Sequence, residues 1–327
     1  MRPGSGHRAL SPAWPNRRRP FTIARVSTAR TAREIQRAAR EALGERFATD
    51  WCARPPFAEF HPRFLHAIRG FSAWPTALDY DALAQLVPAS PTVGAPTAMR
   101  AELPRFVSQD REALRLAGGY ERHVAQARAV PTREQSWHDF FNMSVWAHFP
   151  RVRWALNALH VDDTLGPIDP RNGRAPQQNV ASQFDESGLV VASSSAELLA
   201  ELRALRFKHV FWERRRELLA TTRFWVIGHG TLESLLTPHL GLASKAVLLQ
   251  LSEAPSARND DELRHEVDTS VARLIDGWRE LAPVLDPVPL LGIPGYADNA
   301  TPQFYDDARY FRFQRRPRRE QSTIVSR

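Results

Sequence analysis

The chain has 327 residues, 43% of them apolar, which is enough to bury a substantial core. No run reaches the roughly 18 apolar residues that a membrane helix needs, and the lone cysteine, Cys52, excludes an internal disulfide or a cysteine-built zinc site. The net charge of +8 sits at the ends: residues 1–33 hold eight arginines and no acid, residues 312–327 hold six arginines and one glutamate, and 30 basic residues face 35 acidic ones between them. A fold built to grip nucleic acid carries its basic face on the domain, so such binding is expected only through the arginine-rich termini.

Residues 1–33 are rich in Pro, Arg, Ser and Thr and lack the apolar stretch of a signal peptide. They read as a disordered basic leader, with a basic arm or a transit peptide as the functional alternatives. Residues 34–313 are expected to form a single globular domain, and 314–327 a disordered basic tail. The lone cysteine makes a reducing compartment the expected one, and no membrane partner is expected.

Ile35, Ala38, Ala39, Ala42 and Leu43 give a helical pattern. The aromatic run Trp51–Trp74 is cut by Pro55, Pro56 and Pro62, and Pro62 can open a turn of helix through Ile68. His61 and His66 are expected to be packing residues rather than ligands. Asp79 is a candidate cap for a short helix through Leu86, and the prolines from Pro88 to Pro104 mark a loop. Phe106 and Val107 suit a short strand. A helix is expected from Asp110, interrupted at Gly118-Gly119 and resumed from Tyr120 to Ala129.

Residues 136–160, SWHDFFNMSVWAHFPRVRWALNALH, hold three of the nine tryptophans and read as two helices broken at Pro150. Thr132 and Ser136 are candidate N-caps. Trp137, Phe140, Phe141, Val145 and Phe149 recur every three or four residues and make one apolar stripe. Residues 162–178 are a polar loop, Asp185–Gly188 a turn, and Leu189–Val191 strand-like, together the best hairpin signal. Helices are expected over 196–205 and 208–221. An apolar run, Phe224–Ile227, precedes Gly228-His229-Gly230 and a helix to Leu236. Residues 245–251 suit a strand or a buried helix, and Asp260 or Asp261 can cap a helix ending near Leu281. The predicted fold class is mainly α within α+β: one helical domain with a small β-sheet or hairpin.

The run VPTREQSWHDFFNMSVWAHFPRVRWALN, FDESG at 184–188, WVIGHGTLE at 225–233, PLLGIPGY at 289–296 and FYDDARYFR at 304–312 occur in this order. This set resembles the bacterial domain-of-unknown-function family 3025 over roughly residues 47–313. The resemblance implies a bacterial, single-domain, cytoplasmic protein and carries no activity. Gly230 and Tyr296 depart from the alanine and tryptophan it leads one to expect.

Seven polar residues sit inside apolar motifs: His138, Asp139, Asn142, Asp185, Glu186, His229 and Glu233. Imidazole and carboxylate together can hold a divalent metal that activates water against an ester or phosphate. His229 and Glu233 lie four apart on an expected helix, as do His138 and Asn142, and Asp185 sits where it can close over them. On this reading His138, Asp185, His229 and Glu233 are metal ligands, Asp139 and Glu186 the catalytic carboxylates, and Asn142 a structural polar residue of a metal-dependent hydrolase. The structural alternative is a non-catalytic binding or structural protein in which the same groups pair inside the core, since an unpaired buried polar group costs about 1–3 kcal/mol. There is no HExxH pair, no GxSxG around Ser187 or Ser234, and no phosphate-loop pattern at Gly228–Gly230.

Overall fold

The computed structural model describes residues 47–88 and 103–311, with the backbone of 324–325. The expected leader, the helix over 35–43 and most of the proline loop lie outside the described residues. The helices are α1 (Pro62–Arg69), α2 (Ala77–Gln85), α3 (Arg111–Ala117), α4 (Tyr120–Ala127), α5 (Trp137–His148), α6 (Pro150–His160), α7 (Pro176–Ser187), α8 (Ala196–Arg203), α9 (Arg215–Thr221), α10 (His229–Ser234) and α11 (Asp260–Gly277). The strands are β1 (Arg105–Ser108), β2 (Ala129–Thr132), β3 (Gly188–Ser193), β4 (Thr222–Val226), β5 (Ala243–Gln250), β6 (Asp286–Pro289) and β7 (Ile324–Val325). The fold is mixed α+β, with more helix than strand, as its sequence predicts. Among the described residues, no helix is long and apolar enough to cross a membrane.

At the centre lies α5. Ser136 caps it, its Oγ accepting from the Asp139 N–H at 3.3 Å. Pro150 then opens α6 after the break at Phe149. Every residue of α5 except His138 is buried, so the helix is enclosed rather than one-sided, and the expected stripe is only part of its contact surface. Phe141 stacks on Phe57 with ring centroids 5.3 Å apart, and Trp137 stacks on Phe47 at 5.1 Å. The proline-cut segment before α1 thus supplies an aromatic wall for α5. A buried Phe or Trp side chain of this kind is worth about 3–5 kcal/mol against alanine.

The larger sheet has the order β4-β3-β5-β6, with β7 beside the far half of β5. β3 runs antiparallel to β4 and parallel to β5. β1 and β2 form a separate parallel pair.

Several local expectations change. Asp185–Ser187 is the last turn of α7, which passes into β3 without the expected turn, and β3 pairs with strands far along the chain rather than in a hairpin. Local turn propensity at Asp-Glu-Ser-Gly lost to the helix opened by Pro176. Thr132 is not a cap: it ends β2 and donates from Oγ1 to the Val107 carbonyl. Thr76 caps α2 and Asp79 completes the capping box from N3; Asn259 caps α11. His61 is buried as expected, whereas His66 is exposed. The helix expected over 208–221 splits into a π turn at His209–Glu213 and α9. Because α11 ends at Gly277, Leu281 leaves its stripe and is 50% exposed.

Candidate metal centre

Strand register builds the site. β3 starts where α7 ends, and two residues, Ile227 and Gly228, separate β4 from α10. Pairing Leu189 with Val226 therefore brings Asp185, Glu186 and His229 to one end of the sheet. The Ile227 and Gly228 N–H groups both donate to the Gly188 carbonyl at 2.9 Å and lock that joint. A Cβ on Gly228 would lie 2.5 Å from the Gly188 nitrogen and from Ser187 Cα, so only glycine allows the approach. Helix α5 packs against α10 and delivers His138 to the same place.

The two imidazoles meet through their Nε2 atoms, 3.0 Å apart. Glu186 Oε1 lies 3.6 Å from His229 Nε2 and 3.9 Å from His138 Nε2. The opposite ring nitrogens both face carboxylates: His138 Nδ1 is 3.3 Å from Glu233 Oε2, and His229 Nδ1 is 3.6 Å from Asp185 Oδ1. Burial, then the neighbouring Arg153 and His138, pushes the His229 imidazole down to about 3, so it is neutral near pH 7. A carboxylate beside Nδ1 draws the ring's proton to Nδ1. With a proton on both Nδ1 atoms, the two Nε2 lone pairs would face one another across 3.0 Å, a spacing that a bound cation between them would relieve.

His138, Glu186 and His229 each offer one ligand atom within 4.8 Å of the other two. Metal–ligand bonds of about 2.0–2.1 Å at tetrahedral angles separate ligand atoms by roughly 3.3–3.4 Å. The observed spacings bracket that value, and Glu186, exposed at the rim, has room to close the difference. A Cβ on residue 230 would fall 2.5 Å from Glu186 Oε2, so the glycine found there leaves space for this carboxylate.

A family model described as "Protein of unknown function (DUF3025)" matches residues 104–315. The chain belongs to this family. The DUF3025 match covers all seven candidate residues and begins well after residue 47, where the resemblance was expected to start. Neither a curated protein nor a solved structure matches the chain.

In this DUF3025 chain all seven candidates gather around the joint, most of them on the wall of a cavity of about 220 Å³. Their positions differ from the sequence reading. Asp185 and Glu233 stand behind the imidazoles instead of beside Nε2, and Glu186 faces the Nε2 pair. Asp139 is buried and takes three hydrogen bonds from Arg133, from its backbone N–H and from Nε and Nη2. Asn142 donates from Nδ2 to the Tyr120 hydroxyl at 2.9 Å.

Sequence reasoning missed Arg153, Tyr120, Glu121 and Arg133. Arg153 is buried on α6 and is in direct contact with Asp185. Burial opposes its charge, and Tyr120, Glu121 and Glu186 nearby favour it. A second group, Glu121, His160 and Asp185, also has ligand spacing, but Arg153 already sits on its Asp185. One sign was legible: Arg153 follows Phe149 by four and precedes Leu156 by three, so it interrupts an apolar stretch of that helix.

Proposed function

We propose that His138, His229 and Glu186 hold a divalent metal and that the protein is a metal-dependent hydrolase. One observation carries the reading: two Nε2 atoms 3.0 Å apart, each on a ring whose Nδ1 faces a carboxylate. Such outer carboxylates fix ring orientation and raise ligand basicity at metal sites. Charge agrees with this. Of the cavity-lining residues, Glu121, Asp139, Asp185 and Glu186 are acidic while Arg133 and Arg153 are basic, leaving a surplus of negative charge that a divalent ion balances. An ion held there supplies Lewis acidity, polarising an ester or phosphoryl oxygen and lowering the pKa of water. Asp185 and Glu233 orient the two rings, and Arg153 holds Asp185 in place. Asp139, neutralised by Arg133, positions that arginine and is not the base.

The competing reading puts a proton between the rings, making a structural histidine pair in a non-catalytic protein. Isothermal titration of chelator-stripped protein with Zn²⁺ and Mn²⁺ separates the two. The metal reading expects one equivalent bound by wild type, none by His138→Ala or His229→Ala, and metal-dependent hydrolysis of p-nitrophenyl acetate or p-nitrophenyl phosphate. Folded wild-type protein that takes up neither ion leaves the structural reading standing.

A further inference from the structure

We propose that the cavity takes a small substrate carrying an oxyanion group, carboxylate or phosphoryl, and that Arg133 binds it; the inference rests on the metal reading for the substrate's reacting end. Most of the carboxylates on the wall are already engaged. Asp139 is taken by Arg133 and Asp185 by Arg153. Glu121 accepts from Asn157 Nδ2 at 2.7 Å, and Glu186 faces the imidazoles. The Tyr120 hydroxyl accepts from Asn142, so its own proton is the one it can give, and burial keeps the phenol protonated.

Open donors remain on the wall beside one open acceptor, Asn142 Oδ1. Asp139 grips Arg133 through Nε and Nη2, and the Nη1 edge engages no acceptor among the described residues. The Arg133 side chain is 54% exposed while its Asp139 partner is 8% exposed, so a buried carboxylate pins a guanidinium that still reaches solvent at the cavity. A guanidinium held this way loses little further freedom on binding, and its planar donors match the oxygens of carboxylate or phosphate. The Tyr120 proton adds a second donor on the same wall.

The test uses the full-length protein carrying one equivalent of Zn²⁺, titrated calorimetrically with inorganic phosphate and with acetate. The expected result is binding of at least one anion, weakened about tenfold in Arg133→Gln and less in Arg133→Lys, as loss of one charge-assisted contact requires. Zn²⁺ uptake should persist in both variants, since neither alters His138, Glu186 or His229. Preference for phosphate assigns a phosphoryl substrate, and preference for acetate a carboxylate. Should Arg133→Gln fail to fold, Tyr120→Phe replaces it, with a loss of about threefold to tenfold expected for the same anion. Zn²⁺-loaded protein that binds neither anion, or binds them equally well without the Arg133 or Tyr120 donor, overturns the inference and leaves the metal centre intact. Failure of Zn²⁺ uptake instead overturns the metal reading.

Discussion

Replacing His229 by alanine tests the centre through stability as well as binding. The imidazole is 5% exposed and neutral, so its loss removes packing and uncovers the Asp185–Arg153 pair. That structural cost is about 1–3 kcal/mol and is independent of metal. The metal-dependent part has a different size. An ion at one hundred times its dissociation constant stabilises the folded state by about 2.7 kcal/mol. For a domain of roughly 250 residues, each kcal/mol moves Tm by about 2–4 °C, so the ion should raise wild-type Tm by about 5–10 °C. Differential scanning calorimetry of wild type and His229→Ala, each with chelator and with excess Zn²⁺ or Mn²⁺, reads both effects. Wild type should show the metal increment, while the variant should begin lower and show none. Equal Tm values for wild type with and without either ion, in a protein that His229→Ala still destabilises, would refute the reasoning.

Three further outcomes follow from the same geometry. Glu233→Gln keeps the side-chain shape but removes the charge behind His138, and calorimetric metal affinity should fall about 10–100-fold with the circular dichroism spectrum unchanged. His148 is buried, accepts from the His61 N–H at 2.8 Å, and is pushed down to about 3 by burial and by Arg264. Its contribution is therefore full above the unfolded value near 6.5 and is lost as pH falls from there towards 3, at about 1.4 kcal/mol per pH unit. Asp268, raised by burial to about 6, works in the opposite direction between about 6 and 3.8, so the measurement is the urea-unfolding difference between wild type and His148→Gln across pH. Gly228→Ala forces a methyl group into the backbone of residues 186–188 and should cost several kcal/mol, read as a lower urea midpoint, because backbone neighbours cannot step aside.

Among the candidate residues, the sequence revealed proximity better than geometry. All seven were visible as polar groups within apolar runs, and the i, i+4 spacing correctly put His229 and Glu233 on one helix. The same spacing made both look like ligands of one ion, whereas Glu233 approaches His138 from behind its ring. Arg133 gave no signal, because an exposed arginine just after a strand has the composition of any loop.

By itself, the sequence determined the cap at Ser136, the break at Pro150 and the burial of the aromatic helix. Those features rest on neighbours three or four residues apart and on the missing N–H of proline. Tertiary structure alone decided that β3 lies between β4 and β5, that Gly228 rests on the backbone after Glu186, and which ring nitrogen faces which partner. Register and ring orientation depend on atoms tens of residues apart packing at a few ångströms, and no local periodicity records that distance.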